Sequence, residues 1–165
     1  MWYVIWTETG KEDDAAKELA EHLSPEIYRG CWVPKRVERQ KRHGALVNVE
    51  KALFPGYFFL DCDDPLPVIT IMHRLERFRL LLKSGDCYQP ISREDEQLIR
   101  RLTDRNGKLN VSLIRVNEGQ LRVVDGPLKN LEQYITKLNL HKRKVLVEME
   151  LFDQKHSFWA AVEII

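Results

Sequence analysis

The feature that most limits how this chain can fold is a change of pattern in its last third. Up to residue 103, apolar runs alternate between strand-like and helix-like periods. Beyond it, residues 120–124, 133–138, 144–151 and 158–165 are short strand-like runs at close intervals, separated by turn signals at Asp125-Gly126-Pro127, Asn139 and Asp153. A segment of roughly 50 residues built this way suggests a small β-barrel, near the lower size limit for independent stability. Residues 104–110 (DRNGKLN) are polar, hold one glycine and carry no apolar period, so they read as a linker. The 165 residues have room for one ordinary domain or two small ones and are too few for a barrel enzyme.

The first part reads as strand, helix, strand. Residues 2–7 form an aromatic and β-branched run that Gly10 ends. Over residues 11–23 the apolar positions Ala15, Ala16, Leu19, Ala20 and Leu23 recur at three and four. Glu12, Asp13 and Asp14 sit in the first turn, where the helix dipole favours anions, and Ser24-Pro25 closes the helix. Residues 28–42 read as one extended strand centred on Trp32-Val33, with Pro34 marking an edge or bulge. Residues 36–51 are basic and reverse at Gly44, which reads as a long hairpin or loop. In LFPGYFFL (53–60) a Pro-Gly turn feeds a strand of large side chains. Residues 67–75 read as a short helix, 78–83 as a strand, and 92–105 as a helix capped by Ser92.

The formal charge of +1 conceals an asymmetry. Residues 1–100 carry 15 basic and 17 acidic side chains, and residues 101–165 carry 11 and 8, so a polyanion would more naturally go to the last third. A hydrophobic content of 44% with 31% charged residues describes a soluble globular chain. No apolar run approaches the ~18 residues of a membrane span, and the N-terminus has no signal-peptide pattern, so a cytoplasmic protein is expected. Cys31, Cys62 and Cys87 are odd in number and widely spaced, favouring neither disulfide nor zinc site. The five histidines lie on different elements, and no nucleophile, nucleotide, cofactor or metal motif occurs, which argues against an enzyme.

Two features remain as candidate binding surfaces. Trp2, Trp6, Tyr57 and Phe59 have period-two spacing on two strands, so each pair points to one face of its strand. That face is either core or a docking surface for a partner helix, and Trp2 reads as core. Arg122, Lys129, Asn130, Lys137, Asn139, His141, Lys142, Arg143 and Lys144 bracket two turns of the expected barrel. Such turns are either solvated or straddle phosphates while amides read base edges.

The opening WYVIWTETGKE, the LFPGYFFL segment and the closing VVDGPLKNLEQYITKLNLHKRKVLVEMELF resemble, in this order, the NusG family of transcription elongation factors. The ending HKRKVLVEMELF further resembles the LoaP group of specialised paralogues, antiterminators acting on selected long operons. The resemblance implies an α+β chain: a ferredoxin-like NGN domain (1–103), a linker (104–111) and a five-stranded KOW β-barrel (112–165). It implies that Trp6, Tyr57 and Phe59 form a pocket for the clamp helices of RNA polymerase, with Thr70 near a polar motif applied to the other side of the polymerase cleft. The KOW domain would hold a nascent RNA hairpin in LoaP-like members, or Rho or a small-subunit ribosomal protein in general members. The basic hairpin becomes a candidate upstream-DNA contact, and a monomer is expected. One departure is Gln133, where KOW sequences usually carry glycine.

Overall fold

A computed structural model describes residues 1–83 and 85–165. In chain order, β1 is Trp2–Trp6, α1 Glu12–Glu21, β2 Gly30–Trp32, β3 Lys35–Arg42, β4 Ala45–Ala52, β5 Tyr57–Asp61, α2 Leu66–Met72 and α3 Glu76–Leu82. There follow β6 Tyr88–Pro90, α4 Arg93–Leu102, β7 Lys108–Leu109, β8 Ser112–Asn117, β9 Gln120–Asp125, β10 Ile135–Asn139, β11 Lys144–Leu151 and β12 Gln154–Ile164. This mixed α/β chain divides into two units, one of Met1–Pro34 with Phe54–Glu96, the other of Lys35–Leu53 with Gln97–Ile165.

In the first unit an antiparallel sheet has the order β2-β5-β1-β6. One face carries the helices. Cys31 Sγ donates to Ala16 O of α1, the Phe58 ring packs 6.2 Å from Phe78 of α3, and Tyr3, Ile5, Leu60 and Tyr88 meet Val68, Ile69 and Met72 of α2. The opposite face carries Trp2, Val4, Trp6, Trp32, Tyr57 and Phe59, because paired residues of adjacent strands share a side. α1 follows its apolar spacing and buries Ala15, Ala16 and Leu19. At the start of α4, Ser92 Oγ accepts the Asp95 N–H at 3.1 Å, the expected cap.

Two sequence expectations fail here. Residues 28–42 are not one strand: β2 joins the first unit's sheet and β3 another, with the break at Val33-Pro34, where proline has no N–H for a ladder. Residues 78–83 are not a strand but most of α3. A strand would put Phe78 and Leu80 on one side, yet Phe78 is fully buried and Leu80 is 55% exposed, a separation the helical period supplies. The apolar run is too short for its period to discriminate.

In the second unit a five-stranded sheet has the order β10-β11-β12-β8-β9, with β12 lying parallel to β8. β11 shows why the sequence takes this form: Val145, Val147, Met149 and Leu151 alternate inward while the residues between them are at least partly exposed. Bulges at Leu113/Ile114 and Ile135/Lys137 bend its outer pairs. Gly126 lies at φ +104°, and a Cβ there would stand 2.7 Å from Ser112 Cα. Only glycine fits this turn, which Ser112 Oγ closes by accepting the Leu128 N–H at 3.1 Å. Gln133 sits in a 3-10 turn, Glu132–Tyr134, without positive φ, so its position does not demand glycine.

The second unit also contains a three-stranded sheet, β4-β3-β7. Its hairpin turns at His43-Gly44, both at positive φ, the conformation that suits a two-residue hairpin loop. Residues 104–110 are tied down. Asp104 Oδ1 accepts the N–H groups of Asn106 and Lys108 at 2.8 and 3.0 Å, Asn110 Nδ2 donates to Oδ2, and β7 pairs with β3. Among the described residues, no helix is long and apolar enough to cross a membrane, and no group of three His, Cys, Asp or Glu side chains is placed to hold a metal ion.

Candidate functional site

The aromatic residues converge on one face of the sheet, but with unequal exposure. Trp6 at the end of β1 pairs with Tyr57 at the start of β5, their rings 5.8 Å apart and both partly exposed. Phe59, two residues on, is fully buried, with Trp32, Trp2 and Phe54 rings 5.7 to 6.0 Å away. Trp2 is only 7% exposed and belongs to the same buried cluster, as its sequence context suggested. Trp6 and Tyr57 are therefore the accessible members of this face, and Phe59, the next residue on that face along β5, is buried in the ring cluster. Edge and tilted aromatic contacts of this kind stiffen a surface beyond what burial alone achieves.

A carboxylate that the sequence does not single out holds the turn that carries Tyr57. Glu12, 6% exposed, accepts the Gly10 N–H on both oxygens at 2.9 and 3.1 Å and the Gly56 N–H on Oε1 at 2.8 Å. Gly56 O in turn accepts the Thr7 N–H at 2.8 Å, and Phe54 O accepts the Tyr57 N–H at 3.1 Å. The Phe54-Pro55-Gly56 turn is thus fastened to the end of β1, beside Trp6. In the sequence Glu12 looks like Asp13 and Asp14, a helix-start acid; burial alone distinguishes it. Thr70 is not part of this surface. It is exposed on α2, which covers the other face of the sheet, and its hydroxyl donates to Leu66 O at 2.9 Å.

The basic candidates separate into groups. Asn139 to Lys144 form the β10–β11 turn, where Asn139 Oδ1 accepts the Lys142 N–H at 2.9 Å and leaves Leu140, His141, Lys142 and Arg143 exposed. Arg143 adopts φ +50° and approaches Glu163 at 3.6 Å. Lys144 is withdrawn: its Nζ donates to Glu38 at 3.0 Å and lies 4.7 Å over the Trp159 ring. Lys137 is exposed on β10, Arg122 on β9, and Lys129 and Asn130 in the connection after Gly126. Arg122 stands opposite Arg115, an exposed like-charged pair the sequence reading missed.

The β3–β4 hairpin, the basic segment expected as a candidate upstream-DNA contact, packs within the second unit. Arg36 donates to Glu38 at 2.7 Å and to Trp159 O at 2.8 Å, Lys51 reaches Glu38 at 3.2 Å, and Arg39 pairs with Glu163 of β12. Burial by itself would raise the Glu38 carboxyl, but hydrogen bonds from Arg36, Lys144 and Lys51 overcome it and hold the group at about 2. Lys41 Nζ donates to His141 Nε2 at 2.8 Å. Arg39, Lys41, Lys51, Lys142 and Lys144 thereby surround a cleft of about 390 Å³ with Glu38. Residue spacing along the chain carries no signal for this meeting, since it joins positions about a hundred apart.

The cysteines are free thiols, Cys62 and Cys87 buried and Cys31 partly so. Burial pushes Cys31 up to about 12 and Cys87 to about 11, away from thiolate chemistry.

The family model described as "Transcription termination factor nusG" matches residues 1–102. The chain is 25% identical over 167 residues to the transcription termination/antitermination protein NusG of Thermus thermophilus, covering 93% of this chain and 91% of that protein. It is 26% identical over 163 residues to the Bacillus subtilis protein of the same name, covering 93% and 90%. A solved structure concerned with domain interaction in Thermotoga maritima NusG superposes with a TM-score of 0.56 at 15% identity, covering 97% of this chain and 92% of that one, a likeness of fold.

Proposed function

This chain belongs to the NusG family, and from that premise we propose that it is an operon-specific transcription antitermination factor that holds RNA polymerase with one surface and nascent RNA with another. The βαββαβ order of the first unit, with sheet order β2-β5-β1-β6, suits a ferredoxin-like NGN domain, and the five-stranded sheet of residues 112–165 suits a KOW domain. In this reading residues 1–103 dock on the polymerase clamp helices through Trp6 and Tyr57, with Phe59 in the buried cluster on the same face, and Thr70 faces a separate contact. A partly exposed aromatic pair beside a packed ring cluster suits a helix-binding surface.

The RNA half rests on one observation, the exposed basic turn Leu140–Arg143. The ending HKRKVLVEMELF, which resembles the LoaP group, supports the same choice. Joining the two contacts in one chain raises the effective concentration of each near the other, which favours transcripts bearing the cognate element. A second reading has its own support: Leu140, at the tip of that turn, is 53% exposed and offers an apolar contact to a protein such as Rho or a ribosomal protein.

The test uses the full chain in pull-downs with polymerase and in gel shifts with the leader RNA recovered by crosslinking. Tyr57→Ala is expected to lose polymerase and keep RNA, and Lys142→Glu with Arg143→Glu the reverse. Retention of leader RNA by the double variant, together with capture of Rho or a ribosomal protein that Leu140→Asp abolishes, would favour the adaptor reading.

A further inference from the structure

The two units differ sharply in charge. The second unit carries 18 basic and 10 acidic side chains, net +8, and the first carries 8 and 15, net −7. Half of the excess in the second unit comes from residues 35–53, with 6 basic and 2 acidic side chains. Part of that charge is neutralised in the Glu38 network, in which Arg36 and Lys144 are mostly buried. Of the hairpin's cations, Arg39, paired with Glu163, Lys41 and Lys51 line the cleft. Lys41 is exposed and stands against His141, a second nitrogen base at 2.8 Å, with Lys142 next in sequence. Arg39 is disfavoured as a cation first by burial and then by the nearby Arg143. Its Nε and that of Arg36 are buried without hydrogen-bond partners among the described residues. The cleft lining brings five cations, Arg39, Lys41, Lys51, Lys142 and Lys144, to one carboxylate, Glu38, with Glu163 beside Arg39, and this excess of positive charge favours an anion.

Resting on the RNA reading above, we propose that the RNA site is composite: the β3–β4 hairpin forms its second wall, and the cleft between Lys41, Lys51, Arg39 and Lys142 takes the phosphodiester backbone of an unpaired RNA stretch, a loop or bulge. A cleft of about 390 Å³ is at the small end of ligand sites and has room for a short segment of backbone. Unpaired RNA is also where proteins read sequence, since bases there are splayed from the stack. Lys and Arg at the walls then position the backbone while the exposed Leu140 and His141 on the turn lie beside the bases.

The test measures binding by the full chain to a fluorescein-labelled stem-loop from the transcript that crosslinks to it, with an unlabelled DNA duplex of equal length as competitor. Lys41→Glu, on the hairpin, and Lys142→Glu, on the turn, are each expected to weaken binding about tenfold or more, and Lys41→Gln to reduce the log–log salt slope by about 1. Lys17→Glu, an exposed lysine of α1 in the other unit, changes the net charge equally and is expected to leave affinity within about twofold. If Lys142→Glu weakens binding and Lys41→Glu behaves like Lys17→Glu, the composite site is wrong and the RNA reading stands. If neither weakens it, the RNA reading fails and takes the composite site with it. If the duplex displaces the RNA as effectively as RNA itself, the hairpin wall serves DNA and the proposal is overturned.

Discussion

The aromatic surface and the basic cleft are built by opposite means. Trp6 and Tyr57 stand paired on neighbouring strands of one sheet, on the same face as a buried ring cluster, so hydrophobic packing forms that surface. The cleft instead gathers side chains from residues 39–51 and 142–144 around one buried carboxylate, Glu38. The first is rigid because its support is apolar and contiguous; the second is held by charges whose balance responds to pH and salt. Substitution should therefore uncouple stability from binding at the aromatic surface and couple them at the cleft.

The largest expected effect separates the buried from the accessible aromatic residues. Phe59→Ala removes a fully buried ring and should cost about 3–5 kcal/mol in urea unfolding, whereas Tyr57→Ala should cost much less and still lose polymerase. Equal destabilisation by the two would break that distinction. Next, Glu12→Ala leaves the Gly10 and Gly56 N–H groups without their acceptor, an expected loss of about 2–4 kcal/mol. Faster amide exchange at Gly56 would locate the damage in the turn that carries Tyr57, and unchanged exchange there would refute the clamp.

The smallest effect concerns the cleft. Glu38 is held at about 2, below its ordinary 4.5, so its contribution to stability is present above pH 4.5 and is lost as pH falls towards 2. Wild type should exceed Glu38→Gln in urea stability near neutral pH, with the gap closing over that interval. A gap independent of pH would mean that the network does not depend on the charged carboxylate.

Much of the architecture was legible because it follows local periods. The alternation of β11, the helix of residues 12–21, the Ser92 cap and the Gly126 turn each answer to side chains a few residues apart. Failures came where local signal is weak. The run around Phe78 was too short to show its period, and Pro34 marked a break between two sheets where one bent strand was expected. Among site residues, Trp6 and Tyr57 were visible as a period-two pattern across two strands, yet the pattern did not separate them from Phe59. Lys144 looked like its neighbours in a basic run and is occupied by Glu38.

By itself, then, the sequence determined the succession of elements, the aromatic and basic composition of the candidate surfaces and the likeness to a family, since these depend on residue type and short spacing. Only the tertiary structure decided which ring is buried and which is accessible, that Glu12 fastens a turn 44 residues away, and that the hairpin's cations join those of the β10–β11 turn. Burial and long-range charge pairing arise from packing between distant segments, and no local period records them.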